Sequence, residues 1–183
     1  TRAPSRWQAT GLFTRDLFAA HLGRLAQASR KRNRPLSVCV LKVAERQEVT
    51  LARRSGWLDR AIPQIGSMVS RLVTVEDTAA RLGGDEFVVV VNELGDTEVR
   101  ARQQAMAVAE KIRSALDEPY HLRIGEAGTE REIEHRCSTS IGLTLFAGIG
   151  NDETTIVNHA DRAMYRAKQA GKNAIRIHEP EPV

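Results

Sequence analysis

The chain has 183 residues with 27 Lys and Arg against 23 Asp and Glu, a formal charge of +4, and its length suits one compact core. Hydrophobic residues at 42% and charged residues at 27% exclude a dominantly disordered, collagen-like or coiled-coil chain. Every apolar run is broken by Lys, Arg, Glu or Gly well short of the roughly 20 residues that a membrane-spanning helix requires, so no membrane insertion is expected.

Residues 1–9 are polar and mixed and read as a linker. Thr1 is not an initiator Met and no signal-peptide pattern follows it, so a segment of a longer protein is expected. From Thr14, an N-cap residue, Phe18, Leu22 and Leu25 recur at helical spacing and predict an amphipathic helix to about Arg32, ended by Pro35. Its last turn holds the one basic cluster, Arg30-Lys31-Arg32-Asn33-Arg34, which reads as a solvated helix end. With aromatics at only 4%, a base-stacking platform for a nucleic acid polymer is not expected.

Leu36 to Val43 is short, β-branched and nearly all apolar, the pattern of a strand covered on both faces. Leu58, Ile62, Ile65, Val69 and Leu72 form a second helical stripe, in which Pro63 marks either a kink or the helix start. Thr78 to Leu82, the turn Gly83-Gly84-Asp85-Glu86 and Phe87 to Val91 make a β-hairpin signature. A third helix carries Ala101, Ala105, Val108, Ile112 and Leu116 and stops before Pro119. Two strands are expected near 120–125 and 133–146, then a helix over 153–169 with Gly171 as its C-terminal cap. A closing strand from Asn173 to His178 and a loose tail, 179–183, complete a single domain over 10–178. The order is α, β, α, β-hairpin, α, β, β, α, β.

Cys39 and Cys137 lie far apart in no metal-ligand spacing, which fits reducing, cytoplasmic surroundings and argues against a zinc site. His135 and Cys137 are strand-spaced and read as structural. His21, His121, His159 and His178 form no cluster along the sequence.

The string Arg81-Leu82-Gly83-Gly84-Asp85-Glu86-Phe87 resembles the signature of the GGDEF domain, the module of bacterial diguanylate cyclases that make cyclic di-GMP from two GTP molecules. Three further stretches fall in the family's order: Thr10-Gly11-Leu12, Ser140-Ile141-Gly142, and Ala163 to Asn173 with Met164, Tyr165, Lys168 and Lys172. The resemblance covers about residues 10 to 177. It implies an α/β fold with a central, mostly antiparallel sheet flanked by helices, similar to the palm of nucleotidyl cyclases and polymerases. It also implies a homodimer, because the family builds each active site from two half-sites, and neighbouring signalling domains.

In the family a 3′-hydroxyl of one GTP attacks the α-phosphorus of the other, with Mg²⁺ held by carboxylates at the first core strand's end and in the hairpin turn. The resemblance therefore makes Asp85 and Glu86 the catalytic candidates and Asp85 and Val43 the metal positions. Gly83, Gly84, Asp59, Lys168, Lys172 and Lys42 become the nucleotide-binding candidates. Lys168 and Lys172 match phosphate-contacting residues, although cations are ordinary at a helix C-terminus; Asp59 falls at the spacing of a guanine-reading carboxylate.

At the strand end the chain departs from the pattern. Where the family usually reads Asp-Ile-Asp, then Phe-Lys and Asn-Asp, this chain has Lys42-Val43-Ala44-Glu45-Arg46-Gln47 and then Thr50. Lys42 takes the place of the metal-binding Asp, Ala44 of the second Asp, Gln47 of the phosphate-facing Lys and Thr50 of the guanine-reading Asn. At about 4 Å, even an effective dielectric of ~20 sets a unit-charge pair at roughly 4 kcal/mol, so a cation here opposes a metal. Lys42 is expected either to pair with Asp85, to stand in for the metal against a triphosphate, or simply to turn outward.

The family's inhibitory Arg-x-x-Asp motif appears as Thr74-Val75-Glu76-Asp77, keeping Asp77 and losing the Arg, with Arg71 one helical turn away as a substitute. Tight cyclic di-GMP binding is not expected without that guanidinium. Three functions follow: a degenerate GGDEF domain acting as a non-catalytic regulatory or GTP-sensing module within a larger signalling protein, an active or weakly active diguanylate cyclase needing Mg²⁺, or a nucleotide-free dimerisation or interaction scaffold.

Overall fold

The computed structural model describes residues 12–45, 57–74, 76–148 and 152–179. The 1–9 linker, Thr10-Gly11, Gln47, Thr50 and the tail beyond Glu179 lie outside the described residues.

Eleven elements follow in order among them: α1 (Arg15–Arg32), β1 (Leu36–Glu45), α2 (Trp57–Leu72), β2 (Thr78–Gly83), β3 (Glu86–Val91), α3 (Glu98–Leu116), β4 (Tyr120–Ile124), β5 (Arg131–His135), β6 (Cys137–Phe146), α4 (Glu153–Gln169) and β7 (Ile175–Ile177). Five strands form the main sheet in the order β2-β3-β1-β6-β7, and β4-β5 form a separate hairpin. Three of the main pairings are antiparallel and β6-β7 is parallel, so the sheet is mixed, with helices on both faces.

β1 lies at the centre because its residues can be buried on both sides. Val38 and Val40 pack with Phe18 and Leu22 of α1 and with Ile156, Ala160 and Met164 of α4. Cys39, Leu41 and Val43 point the other way, into a layer completed by Ile62, Ile65 and Val69 of α2 and by Ala105, Ala109 and Ile112 of α3. Alternation with period two divides one apolar run between two cores. Burying each Val or Leu side chain is worth about 1.5–3 kcal/mol before the cost of ordering it.

α1 begins where expected: the Leu17 N–H points at Thr14 Oγ1, and Asn33 in the left-handed region closes the helix by donating its N–H to the Ser29 carbonyl. The basic cluster thus sits at the negative end of the helix dipole, with Arg32 paired to Glu93. α2 runs through Pro63, so that residue neither starts nor ends it. Having no N–H, Pro63 leaves the carbonyl of Asp59 without its helical donor. The expected strand over 133–146 is two strands, β5 and β6, because Arg136 separates residues that pair with β4 from those that pair with β1. The closing strand is shorter than the sequence suggests, three residues from Ile175 to Ile177. No described helix is long and apolar enough to cross a membrane.

One glycine fixes how close a helix can come to the sheet. A Cβ on Gly142 would lie 1.9 Å from the Met164 nitrogen and 2.1 Å from the Ala160 oxygen, both backbone atoms of α4.

Candidate functional site

The β2-β3 hairpin closes on Gly84-Asp85, with Gly83 paired to Glu86. Gly84 has φ +43°, and Asp85 is not in the positive-φ region, the sign pattern of a type II′ turn, which needs Gly first. Two arginines hold the turn from outside. Arg81 donates from Nε and Nη2 to the Gly84 carbonyl at 3.1 and 2.8 Å, and Arg15 Nε donates to the Leu82 carbonyl at 3.0 Å. The Val43 N–H donates to the Asp85 carbonyl at 3.0 Å and ties the turn to the end of β1.

Lys42 stands between Glu86 on β3 and Ser140 on β6 in the sheet register. Directly paired side chains share a face about 5 Å apart at Cβ, so the cation's cross-strand partner is Glu86. Of the three arrangements open to Lys42, an ion pair with the Asp85 side chain is not present. A turn residue does not share the ladder's alternation, whereas Glu86 does.

Glu86 is half-buried, and its carboxyl is pushed up from the usual range, first by loss of hydration and then by the negative charge of Asp161. Lys42 and Arg15 pull it down, and Asp85 adds a smaller upward push. Asp161 and Arg15 were not expected here. The helical period held a signal for Asp161, which lies seven residues before Lys168 on α4 and therefore on the same face.

For an acid raised by folding, the native protein holds the proton more tightly than the unfolded chain. That stability is complete below the ordinary glutamate pKa and is lost as pH rises through the raised native value. Glu86→Gln keeps the shape without the charge. Its melting temperature should exceed that of the wild type by about 1–2 °C above about pH 6 and converge near pH 4, measured by scanning calorimetry. Coincident curves would mean that Lys42 and Arg15 fully offset the burial.

β7 brings the remaining basic candidates to the same end of the sheet. Ile175 pairs with Ile141, and the Ile141 N–H donates to the Ala174 carbonyl at 2.9 Å, so Lys172 lies beyond the level of Ser140. Lys168 is in the last turn of α4, and Gly171, Lys172 and Asn173 all have positive φ as the chain reverses into β7. Asp59 is exposed in the first turn of α2, and no hydrogen bond or ion pair ties it to the hairpin turn.

Asp77 and Arg71 lie away from this group. Asp77 Oδ2 accepts from the Thr74 N–H and hydroxyl, both at 3.0 Å, and Oδ1 accepts from the Asn92 N–H at 3.0 Å. Its carboxylate fixes the loop before β2 at the opposite sheet end. Arg71, exposed at the end of α2, makes no ion pair with it.

Residues 8–174 match the profile of the diguanylate cyclase GGDEF domain. The chain belongs to the GGDEF domain family. Among curated proteins, the domain is 34% identical over 115 residues to the bifunctional diguanylate cyclase/cyclic di-GMP phosphodiesterase MucR of Pseudomonas aeruginosa, covering 63% of this chain and 15% of that protein. It is 27% identical over 169 residues to the response regulator PleD of Caulobacter vibrioides, covering 92% of this chain and 35% of that protein. The chain thus spans only a minor part of these relatives' length. The GGDEF domain of DgcB from Caulobacter crescentus, solved in complex with c-di-GMP, superposes with a TM-score of 0.80 over 98% of this chain and 96% of that one at 20% identity, a likeness of fold.

Proposed function

We propose that this GGDEF domain is a regulatory module of cyclic di-GMP signalling that binds GTP through cationic side chains and does not condense it. The observation that carries the reading is Lys42 in register with Glu86 at the end of β1. A divalent ion at this place needs oxygen ligands from both the strand end and the turn. Here one of the two positions presents the ammonium of Lys42. The residues do not fit Mg²⁺, and no step of the reading runs through it.

Cations suited to a triphosphate remain. Lys42 and Arg15 act on Glu86 from β1 and α1, Lys168 lies in the last turn of α4, and Lys172 follows it at the same end of the sheet. Multiple fixed cations bind phosphate oxygens without a metal, and Arg adds directed donors. Asp59 is the one guanine-reading candidate among the described residues. Condensation would further require the attacking hydroxyl to be activated, for which Lys42, in the place of the family's metal-binding Asp, supplies no carboxylate.

The test is GTP titration by calorimetry with and without Mg²⁺, together with mass spectrometry for product after incubation with GTP and Mg²⁺ or Mn²⁺. Saturable binding and no cyclic di-GMP are expected. Product that disappears in Asp85→Ala would establish the enzyme instead, and no binding at all would leave an interaction scaffold.

A further inference from the structure

At the other end of the sheet from the GGDEF turn, about a strand's length away, a pocket of about 640 Å³ opens where β6 outruns β7. It is lined by Leu145, by Arg102 at the start of α3, by His159 and Arg162 on α4, and by His178 and Glu179 after β7. Its size suits a small organic ligand. Strand pairing on this side stops at Leu143 with Ile177, and the His178 N–H makes the last bond, to the Leu143 carbonyl at 2.7 Å. Because Ile141 and Leu143 turn their backbone groups towards β7, Leu145 turns its own towards the pocket.

The side chains here are mostly donors. The His159 and His178 rings stack with centroids 3.9 Å apart and planes 11° from parallel, a pair that sequence spacing did not reveal. Arg162 lines the same wall, and Arg166 is close enough to act on His178. Arg102 presents its fork to both oxygens of Glu179, Nη1 reaching Oε2 at 3.2 Å and Nη2 bonding Oε1. Of the rim acids, Asp96 faces Arg100 at 3.7 Å and Glu98 lies in the first turn of α3 beside Arg102. With Glu179 removed, Arg102 and Arg162 match Asp96 and Glu98 in number on the lining, and Arg100 and Arg166 add positive charge from just outside it. His178 reports this field: burial first, then His159, Arg166 and Arg162, hold it below the ordinary histidine pKa, with only Glu179 pulling the other way.

We propose that this pocket binds a small anion bearing phosphate or carboxylate oxygens, with Arg102, Arg162 and the two imidazoles as its donors, and that Glu179 is a tethered carboxylate that competes for Arg102. Glu179 is attached just past the three-residue β7 and is half-exposed, so it exchanges with an incoming anion without opening either core. The anion also favours protonation of His178, which burial and its cationic neighbours oppose, so binding takes up a proton there and tightens as pH falls. The site is separate from the GGDEF turn, and its existence does not depend on whether GTP binds there.

Inorganic phosphate is the probe, followed through the His159 and His178 ring resonances by NMR, which separates this pocket from any phosphate binding at the turn. Glu179→Gln should show saturable shifts of both rings, with an affinity at least fivefold tighter than wild type and tighter at pH 6 than at pH 8. Arg102→Gln and Arg162→Gln should each weaken that response in the Glu179→Gln background. Equal affinity with and without Glu179, no saturable shift of either ring in Glu179→Gln, or a response untouched by both Arg changes would each overturn the proposal. If an Arg variant fails to fold, the Glu179 comparison decides alone, since that side chain lies outside both cores.

Discussion

Lys42→Asp should make GTP binding depend on Mg²⁺, weakening it at least tenfold in EDTA relative to wild type and recovering it when metal is supplied. The substitution exchanges a cation for an anion beside Glu86, where burial and Asp161 already oppose negative charge. Lys42 and Glu86 form no close ion pair; for a unit-charge pair at about 6 Å and an effective dielectric near 20 the energy is roughly 3 kcal/mol, and tenfold needs only about 1.4 kcal/mol. The expected effect therefore survives considerable screening by solvent. Wild-type binding, resting on ammonium and guanidinium groups, should change little between EDTA and excess Mg²⁺. Calorimetric titrations of both proteins in both conditions give the sign of the coupling directly. A wild type as metal-dependent as the variant would sink the idea that Lys42 replaces a cation.

Gly142→Ala should be the most damaging Gly→Ala change among the described glycines. The added carbon meets backbone atoms of α4 at 1.9 and 2.1 Å, so no side-chain rotation relieves it and the helix itself must move. Overpacking a core costs about 1–3 kcal/mol and more when backbone must shift, so a loss of at least about 3 kcal/mol is expected. For a domain of this size that lowers the melting temperature by roughly 6–12 °C. Because α4 carries Asp161 and Lys168, the variant should also lose GTP affinity at temperatures where it remains folded. A melting temperature within about 2 °C of wild type would show that α4 can lift off the sheet at little cost.

The fold was largely legible because its periodicities are strong. β1 reads as a central strand from its unbroken apolar run, and the hairpin follows from paired glycines between apolar stretches. The β5-β6 break did not, because nothing in His135-Arg136-Cys137 departs from strand composition and only a change of partner separates the two. At the site, the motif located Asp85, Glu86 and Lys42, but motif spacing could not say which acid Lys42 would face. That depends on register, and register puts it opposite Glu86. The His159-His178 stack was invisible for a similar reason: the two residues lie on different elements and meet only because β7 returns alongside β6.

The position of β1 also sets the order in which a ribosome-bound chain can complete its sheet. One neighbour, β3, is synthesised soon after β1, but the other, β6, pairs Ser140 with Lys42 across roughly a hundred residues of intervening chain. Until β6 emerges, the edge of Val38 to Val43 has an unsatisfied ladder of N–H and C=O groups and apolar side chains on both faces, the profile of an aggregation-prone strand. Chains cut after β1 but before β6 is complete should therefore be insoluble rather than partly folded.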